Sequence, residues 1–273
     1  MNNISIAKET LKIINEKKYC LKEKEIRLPE MDYSSVQVYT PESGEKLQKN
    51  RMEPVKFNDF KITVTSEDSF QAASAFDNAA VMNFANAHHP GGGFMLGANA
   101  QEESLCRCST LIASITSDKA AEMYRYNNLH INDVESDYML YSKVCVFRNE
   151  KYELLSEPFT AGVLTVPAPN RNGFAVLTSL KRIDETMMRR IRIMLLIAAK
   201  NGHESVVLGA WGCGAFRNNP SRVAECFRKV LIDECYAAYF KNICFAIWGR
   251  DDSRNITAFK ECFKEKIQHL PLG

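Results

Sequence analysis

Two adjacent carboxylates, Glu102 and Glu103, follow three consecutive glycines, Gly91 to Gly93, after a short spacer. Carboxyl groups of this kind can give a proton to a leaving group and stabilise the positive charge that develops on a sugar ring. Adjacent residues on a helix point about 100° apart, so the two carboxylates are expected to have different roles. A solvated helix start is the competing interpretation, because Glu is favoured in a first helical turn.

A second glycine cluster, Gly209 to Gly214, also follows an apolar strand directly. Glycine lets backbone N–H groups approach a ligand closely, and loops at the carboxyl edge of a parallel sheet suit phosphate oxygens. There is no P-loop signature, and Arg217 occupies the place of the third glycine in G-x-G-x-x-G. Two such loops on one sheet edge predict a diphosphate that is held from both sides. Tight turns without a ligand are the alternative.

Strand-like and helix-like segments alternate from about residue 57 onward. The strand-like segments are 60–66, 79–86, 141–149 (a strand pair or an edge), 161–170, 204–214 and 242–249. The helix-like segments are 67–76, 102–115, 184–202, 221–235 and 255–268. This alternation predicts an α/β fold, a three-layer α/β/α sandwich with a mixed central sheet. We expect a single domain over 1–273, in which 1–55, with its helical start and turn-rich remainder, is an N-terminal accessory segment packed on the core.

The composition of the chain argues against several classes of function. The chain has 273 residues, a net charge of +2 and a pI near 8.0, too balanced to favour nucleic-acid binding. It contains neither an apolar run long enough to span a membrane nor a signal-peptide core. The nine cysteines include no zinc-type spacing, and His88-His89 lacks a third ligand, so we expect no metal. Reduced thiols predict a cytoplasmic protein.

Three segments carry a family resemblance. "PGGGFMLGANAQEES" (90–104) resembles the G-G-G…Q-E-E signature of poly(ADP-ribose) glycohydrolases, with a spacer of seven residues. "VMNFANAHHPGGG" (81–93) is similar to the macrodomain segment in which a strand ends in N-A-A-N before a glycine loop. "VLGAWGCGAFRNNP" (207–220) resembles the second diphosphate loop of that fold. Together with the chain length, the helical N-terminal extension and "VPAPN" (166–170), they are similar to the compact microbial-type enzymes and imply a macrodomain-type fold.

The resemblance also implies roles for individual residues. Glu103 matches the catalytic residue that protonates the leaving oxygen and then activates water, and Glu102 matches the residue that holds ribose hydroxyls. The implied substrate-binding residues are Asn86 and Phe216 at the distal ribose, Gln101 in support, Gly92 and Gly93 on one side of the diphosphate, and Gly212, Cys213, Gly214 and Ala215 on the other. Residues 66–68 lie at a strand end, and this position suggests that they contact the adenine. Trp211 belongs either to the core or to the ligand contacts, and the sequence leaves both alternatives open.

The implied activity is cleavage of ribose–ribose O-glycosidic bonds of poly(ADP-ribose) from the terminal end, which releases ADP-ribose. The resemblance implies a monomer, and no cofactor is expected. Two alternatives stay open. One is a hydrolase that removes mono-ADP-ribose from another acceptor, and the other is a macrodomain that binds ADP-ribose without cleaving it. The Glu102-Glu103 pair argues against the second alternative, because a binding module needs no such carboxylates.

Overall fold

The computed structural model of the chain describes residues 2–54, 57, 59–130 and 132–266. The strands are β1 (Lys18–Leu21), β2 (Lys24–Arg27), β3 (Gln37–Tyr39), β4 (Lys61–Thr65), β5 (Ala79–Ala85), β6 (Met139–Arg148), β7 (Leu154–Pro167), β8 (Ser205–Leu208) and β9 (Asn242–Ala246). The α-helices are α1 (Asn3–Glu16), α2 (Pro41–Lys49), α3 (Ser69–Ala73), α4 (Gln101–Cys108), α5 (Leu111–Ile115), α6 (Ala121–Leu129), α7 (Leu180–Lys200), α8 (Pro220–Arg228) and α9 (Arg254–Phe263). None of these helices is both long and apolar enough to cross a membrane.

Seven of the strands form one mixed sheet in the order β3-β6-β7-β5-β8-β9-β4. β6 runs antiparallel to both of its neighbours, whereas β7, β5, β8, β9 and β4 pair in parallel. The carboxyl ends of these five parallel strands therefore meet at one edge of the sheet. The glycine loops after β5 and β8 both leave from that edge, which is where open α/β sheets bind ligands.

Helices cover both faces of this sheet and enclose two apolar cores. The side chains of β5 alternate between the two cores: Ala80 and Met82 face one core, and Ala79 and Val81 face the other. The first core is filled mainly by α7, α8 and α9, and the second by α3, α4, α5 and α6. Strands buried on both faces read as continuous apolar runs, which is how β5 and β8 were recognised in the sequence. The predicted three-layer α/β/α sandwich with a mixed sheet is confirmed.

Several element boundaries differ from the prediction. β6 lies inside the sheet rather than at an edge, because β3 from the N-terminal segment pairs with it. This strand has only three residues, too few to show a period, so neither it nor the β1–β2 hairpin is predicted from the sequence. The predicted helix 102–115 is broken because Ser109 is extended (φ −146°, ψ 179°). α9 ends at Phe263, and 267–268 of the predicted closing helix lie outside the described residues.

The N-terminal helix α1 packs beside α4, the helix that begins with the carboxylate pair. Thr10 Oγ1 donates a hydrogen bond to the Arg107 carbonyl over 2.8 Å, and both residues are fully buried. At the other end of α1, the Asn3 Nδ2 atom donates to the Gly97 carbonyl over 3.1 Å. The N-terminal segment therefore supports the position of α4 in addition to extending the sheet.

Candidate active site

A cavity of about 410 Å³ opens at the carboxyl edge of the sheet. It lies between the start of α4, the loop after β8 and the chain segments that follow β4 and β9. Its wall includes Asp68, Ser69, Phe84, Asn99, Ala100, Gln101, Tyr152, Gly212, Gly214, Ala215, Phe216, Ile247, Trp248 and Asn255. A concave site of this size with polar groups from several strand ends is typical of a small-molecule binding site.

The Glu103 carboxylate is fixed at both oxygens by backbone N–H groups. Gly93 donates to Oε1 over 2.9 Å, and Ala100 donates to Oε2 over 3.1 Å. The second contact caps the first turn of α4, where negative charge is favourable. Glu103 thus begins a helix, as the competing interpretation proposed, but its side chain is only 7% exposed and is not solvated.

Gly92 makes room for this carboxylate. Its φ of +53° lies in the left-handed region, and a Cβ built on it would lie 2.4 Å from Glu103 Oε1 and 3.5 Å from Glu102 Oε2. Both carboxyl groups therefore lie directly beneath the first glycine loop. A side chain at Gly92 would displace Glu103, so the glycine is required for the carboxylate as well as for ligand approach.

Glu102 is the more deeply buried of the two carboxyl groups, at 3% exposure. The Asn83 side chain donates to its Oε1 over 3.2 Å, and the Asn86 backbone N–H donates to Oε2 over 2.9 Å. Burial, reinforced by the neighbouring Glu103 charge, raises the pKa of Glu102 to about 8, while these two donors oppose the rise. The buried position of Glu102 thus favours its neutral form more than an exposed carboxyl group would allow.

Asn86 holds the turn that enters the first glycine loop. Its Oδ1 accepts hydrogen bonds from the backbone N–H groups of His88 and His89 over 2.8 and 2.9 Å. The His88 ring lies between Asn128 Oδ1 and Asp133 Oδ1, each 3.1 Å away. Among the described residues, no group of three or more His, Cys, Asp or Glu side chains is arranged to hold a metal ion.

Gln101 connects three elements at the cavity wall. Its Nε2 donates to Ser69 Oγ over 3.0 Å and to the Met82 carbonyl over 2.7 Å, and its Oε1 accepts from the Phe84 N–H over 2.9 Å. The side-chain amide thereby fixes α4 to β5 and to the start of α3. The contacts of its side chain are with β5 and Ser69, and its predicted role in supporting the glycine loop stays a prediction.

The second glycine loop forms the facing wall. Gly212 has φ +70°, and a Cβ there would lie 2.6 Å from Asn218 Nδ2 and 2.8 Å from Ala168 Cβ. Asn218 Nδ2 donates to the Pro169 carbonyl over 2.8 Å, which holds this loop against the end of β7. Nothing lies within 4 Å of a Cβ built on Gly214, so this position is open to a ligand.

Two residues of the second loop do not face the cavity. Cys213 is half-buried outside the cavity wall, and burial raises the pKa of its thiol to about 12, so it is not a reactive thiolate. Trp211 is completely buried, and its Nε1 donates to the Val166 carbonyl over 3.1 Å. The open question about Trp211 is thus resolved in favour of the core.

Asp68, the N-cap residue of α3, also lines the cavity. Its Oδ1 accepts from the N–H groups of Phe70 and Gln71 over 2.7 and 3.1 Å, whereas its Oδ2 is buried without a partner among the described residues. Trp248 lines the same cavity at the end of β9 and is 71% exposed. Sequence reasoning missed Trp248 and Phe84, although both follow or end strands at the predicted binding edge.

The predicted site residues fall into two adjacent groups. Gln101, Gly212, Gly214, Ala215 and Phe216 line the cavity. Asn86, Gly92, Gly93, Glu102 and Glu103 form a cluster under the first glycine loop, outside the lining of this cavity. The two groups are continuous in the chain, because Ala100 and Gln101 belong to the cavity wall and directly precede the carboxylates. The cavity therefore adjoins the segment that carries the carboxylates.

Comparison with known proteins shows that the chain is similar to one family of enzymes. Residues 7–149 match the family model described as the catalytic domain of microbial-type PARG. The poly(ADP-ribose) glycohydrolase (PARG) of Thermomonospora curvata is 34% identical over 96% of this chain and 99% of its own, with a TM-score of 0.88. The same enzyme bound to the inhibitor ADP-HPD gives a TM-score of 0.85 at 34% identity, covering 95% of this chain and 98% of that one.

A second bacterial enzyme is also similar. The poly(ADP-ribose) glycohydrolase of Deinococcus radiodurans in complex with ADP-ribose is 35% identical, with a TM-score of 0.76, over 88% of this chain and 99% of its own. No curated protein sequence matches the chain significantly.

Proposed function

The chain belongs to the microbial-type poly(ADP-ribose) glycohydrolase family, and we propose that it removes ADP-ribose from the terminal end of poly(ADP-ribose). The enzyme is a glycosidase, and the bond it hydrolyses is the ribose–ribose O-glycosidic bond. The observation that carries the proposal is the Glu103 carboxylate, which two backbone N–H groups hold beside a cavity of nucleotide size.

The two glycine loops support binding of the diphosphate. Gly214 and Ala215 line the cavity with exposed backbone, and Gly92 and Gly93 approach from the other side next to the carboxylates. Backbone N–H groups of the second loop can bind phosphate oxygens without a basic side chain. The N–H groups of Gly92 and Gly93 already donate to the His89 carbonyl and to Glu103, so these glycines contribute close approach of the backbone to the ligand. Solved structures of similar enzymes contain ADP-ribose or the inhibitor ADP-HPD, ligands of the size and chemistry that this arrangement suits.

Glu103 acts as the general acid and then as the general base. Its carboxyl proton passes to the oxygen that leaves C1 of the terminal distal ribose, and the C1–O bond breaks to give oxocarbenium character at C1. The resulting carboxylate takes a proton from water as the water oxygen bonds to C1. Atoms balance: one water is consumed, and the products are ADP-ribose and a shortened polymer. The N–H donors of Gly93 and Ala100 hold the carboxylate oxygens during both steps.

Glu102 holds ribose hydroxyls next to the reacting bond. With a pKa of about 8, its carboxyl group can donate or accept a hydrogen bond near neutral pH. We assign Asn86 and Phe216 to the same ribose, because Asn86 donates to Glu102 and Phe216 belongs to the cavity wall. For the adenosine end we propose the region around Asp68 and Trp248, where an unpartnered Asp68 Oδ2 can accept from the base amine.

The remaining proposals concern the whole chain. We place it among macrodomain-type folds, with 1–273 as one catalytic domain and 1–55 as its accessory segment, a division that the contacts of α1 and β3 support. We also propose that it works as a monomer in the cytoplasm. All nine cysteines are free, as expected of a protein kept in a reducing compartment.

Replacement of Glu103 by Gln tests the catalytic assignment. Glu103→Gln keeps the size of the side chain but removes the transferable proton, so kcat on poly(ADP-ribose) should fall by about 10²–10⁴-fold. ADP-ribose affinity, measured by calorimetry, should stay within a few fold because the loops and adenosine region are unchanged. Glu102→Gln, a matched change one residue away, should cost less. Near-full activity of Glu103→Gln would contradict the role given to Glu103.

A substrate panel tests the activity itself. Poly(ADP-ribose), a mono-ADP-ribosylated protein and O-acetyl-ADP-ribose are incubated with the enzyme, and ADP-ribose release is measured by chromatography. Release from the polymer alone supports the proposal. Release only from the mono-ADP-ribosylated protein or O-acetyl-ADP-ribose would replace it with hydrolysis of another ADP-ribose linkage. Binding without release from any of them would leave an ADP-ribose-binding protein.

A further inference from the structure

Asn83 is a polar residue in the middle of an otherwise apolar buried strand. It lies on β5 directly opposite Thr165 of β7, and both side chains are completely buried. It faces the layer that contains α4, as its contact with Glu102 shows. A strand buried on both faces normally carries only apolar side chains, because an amide must otherwise find hydrogen-bond partners there. The presence of an amide here therefore needs a reason.

The contacts of Asn83 are unequal at the two ends of its amide. Nδ2 donates to Glu102 Oε1 and to Thr165 Oγ1, each over 3.2 Å. Oδ1 is buried and has no partner among the described residues. An unpartnered buried oxygen destabilises the fold, and an apolar side chain of similar shape would remove that penalty. What an apolar side chain would lack is the donor to Glu102.

Glu102 receives hydrogen bonds from N–H donors at both oxygens, from Asn83 at Oε1 and from Asn86 at Oε2. Such donors stabilise the ionised carboxylate, whereas burial stabilises the neutral acid. The balance of the two influences lies on the side of the neutral acid, because burial outweighs the donors and the pKa of Glu102 is raised to about 8. The loss of one donor would move this balance toward the neutral acid.

The titratable groups around Glu102 would not replace the stabilisation of its ionised form that the Asn83 donor provides. Glu103 and Cys106 on α4 and Tyr124 on α6 interact with it electrostatically, and each of them is neutral or negative. β5 carries no titratable side chain. From the first loop, the His88 ring is held by Asn128 and Asp133. The nearest stabilising groups are therefore the amide of Asn83 and the backbone.

We propose that Asn83 is a positioning residue for the reaction, which keeps Glu102 ionisable and oriented so that its carboxylate can accept hydrogen bonds from the substrate ribose. This role rests on the proposed function of Glu102 as the residue that holds ribose hydroxyls. It makes the buried amide of β5 part of the active site, although it touches neither the cavity nor the substrate.

The test is the titration of Glu102 in Asn83→Leu, which has nearly the same shape without the amide. Protein labelled with ¹³C at the Glu carboxyl carbons is titrated by NMR without ligand, and the Glu102 signal is assigned from its absence in Glu102→Gln. Because the amide stabilises the ionised form of Glu102, its removal should move the midpoint to higher pH by about one unit or more. The acid limb of kcat/KM on poly(ADP-ribose) should move in the same direction, with about tenfold lower activity at pH 7.

Asn127→Leu is the matched control. Asn127 is equally buried, also has an unpartnered Oδ1, and donates to the Ala87 carbonyl over 2.8 Å instead of to a carboxylate. It should show a comparable change in stability with no displacement of the Glu102 midpoint. If Asn83→Leu does not fold, Asn83→Ala removes the same donor without the branched group and is expected to displace the midpoint in the same direction.

The outcomes separate the two proposals. An unchanged Glu102 midpoint in the folded Asn83 variant overturns the role of Asn83. A displaced midpoint with an unchanged pH profile shows that Asn83 influences Glu102 but does not position it for the reaction, and also overturns the proposal. If the unaltered enzyme releases no ADP-ribose from any of the three substrates, the proposed function fails, and with it the positioning role. The NMR titration then still decides whether Asn83 controls the protonation of Glu102.

Discussion

Replacement of Gly92 by Ala tests whether the proposed activity of Glu103 depends on the space that Gly92 leaves for its carboxylate. The new Cβ would lie 2.4 Å from Glu103 Oε1, whereas ordinary contacts begin at 3.4 Å, so the carboxylate must move by about 1 Å. A displacement of this size at a reacting group costs on the order of 10²-fold in rate. Because Gly92 has φ +53°, Ala should also lower the free energy of unfolding by about 1–2 kcal/mol.

The assay is ADP-ribose release from poly(ADP-ribose) under saturating substrate, combined with urea unfolding of the same protein. Gly202→Ala is the matched control, because Gly202 has φ +78° and nothing lies within 4 Å of a Cβ built there. Its stability should fall by a similar amount while kcat stays unchanged. If Gly92→Ala kept kcat within threefold of the unaltered enzyme, the argument that Gly92 makes room for Glu103 would be wrong.

Two further predictions concern Glu102 and Trp248. Glu102→Gln removes a carboxyl group whose pKa is about 8 in the folded state and near the ordinary value of 4.5 when unfolded, so wild-type stability falls as pH rises between these values. The difference in unfolding free energy between the variant and the wild type, measured by urea unfolding, should therefore increase in favour of the variant by about 1.4 kcal/mol per pH unit from pH 5 to 7. A difference that does not change with pH would contradict the raised pKa of Glu102. Trp248→Ala should weaken ADP-ribose binding by about tenfold in calorimetry without loss of stability, since Trp248 lines the cavity and is 71% exposed. Phe174→Ala, which removes an aromatic that is 55% exposed and lies outside the cavity wall, should leave binding unchanged.

The sequence by itself determined the features that depend on local pattern. Apolar runs such as 79–86 and 204–214 predicted buried strands, because strands covered on both faces are apolar throughout. Their alternation with helical segments predicted the layered fold. The glycine runs after two strands predicted a binding edge, since residues at the carboxyl ends of parallel strands come together whatever the remaining structure. The spacing of Gly93 and Glu103 indicated the family and the carboxylate that we propose to be catalytic.

The tertiary structure decided which groups surround those residues. Glu102 and Asn83 are separated by 19 residues, and Asn218 and Pro169 by 49, yet each pair is joined by a hydrogen bond that fixes part of the site. No local period carries such contacts, because they depend on how strands and loops are placed relative to one another. The same holds for β3, whose three residues are a strand only because β6 lies beside them. Burial is the physical reason for the largest difference: the raised pKa of Glu102 arises from the desolvation that packing imposes, which the sequence of a helix start cannot show.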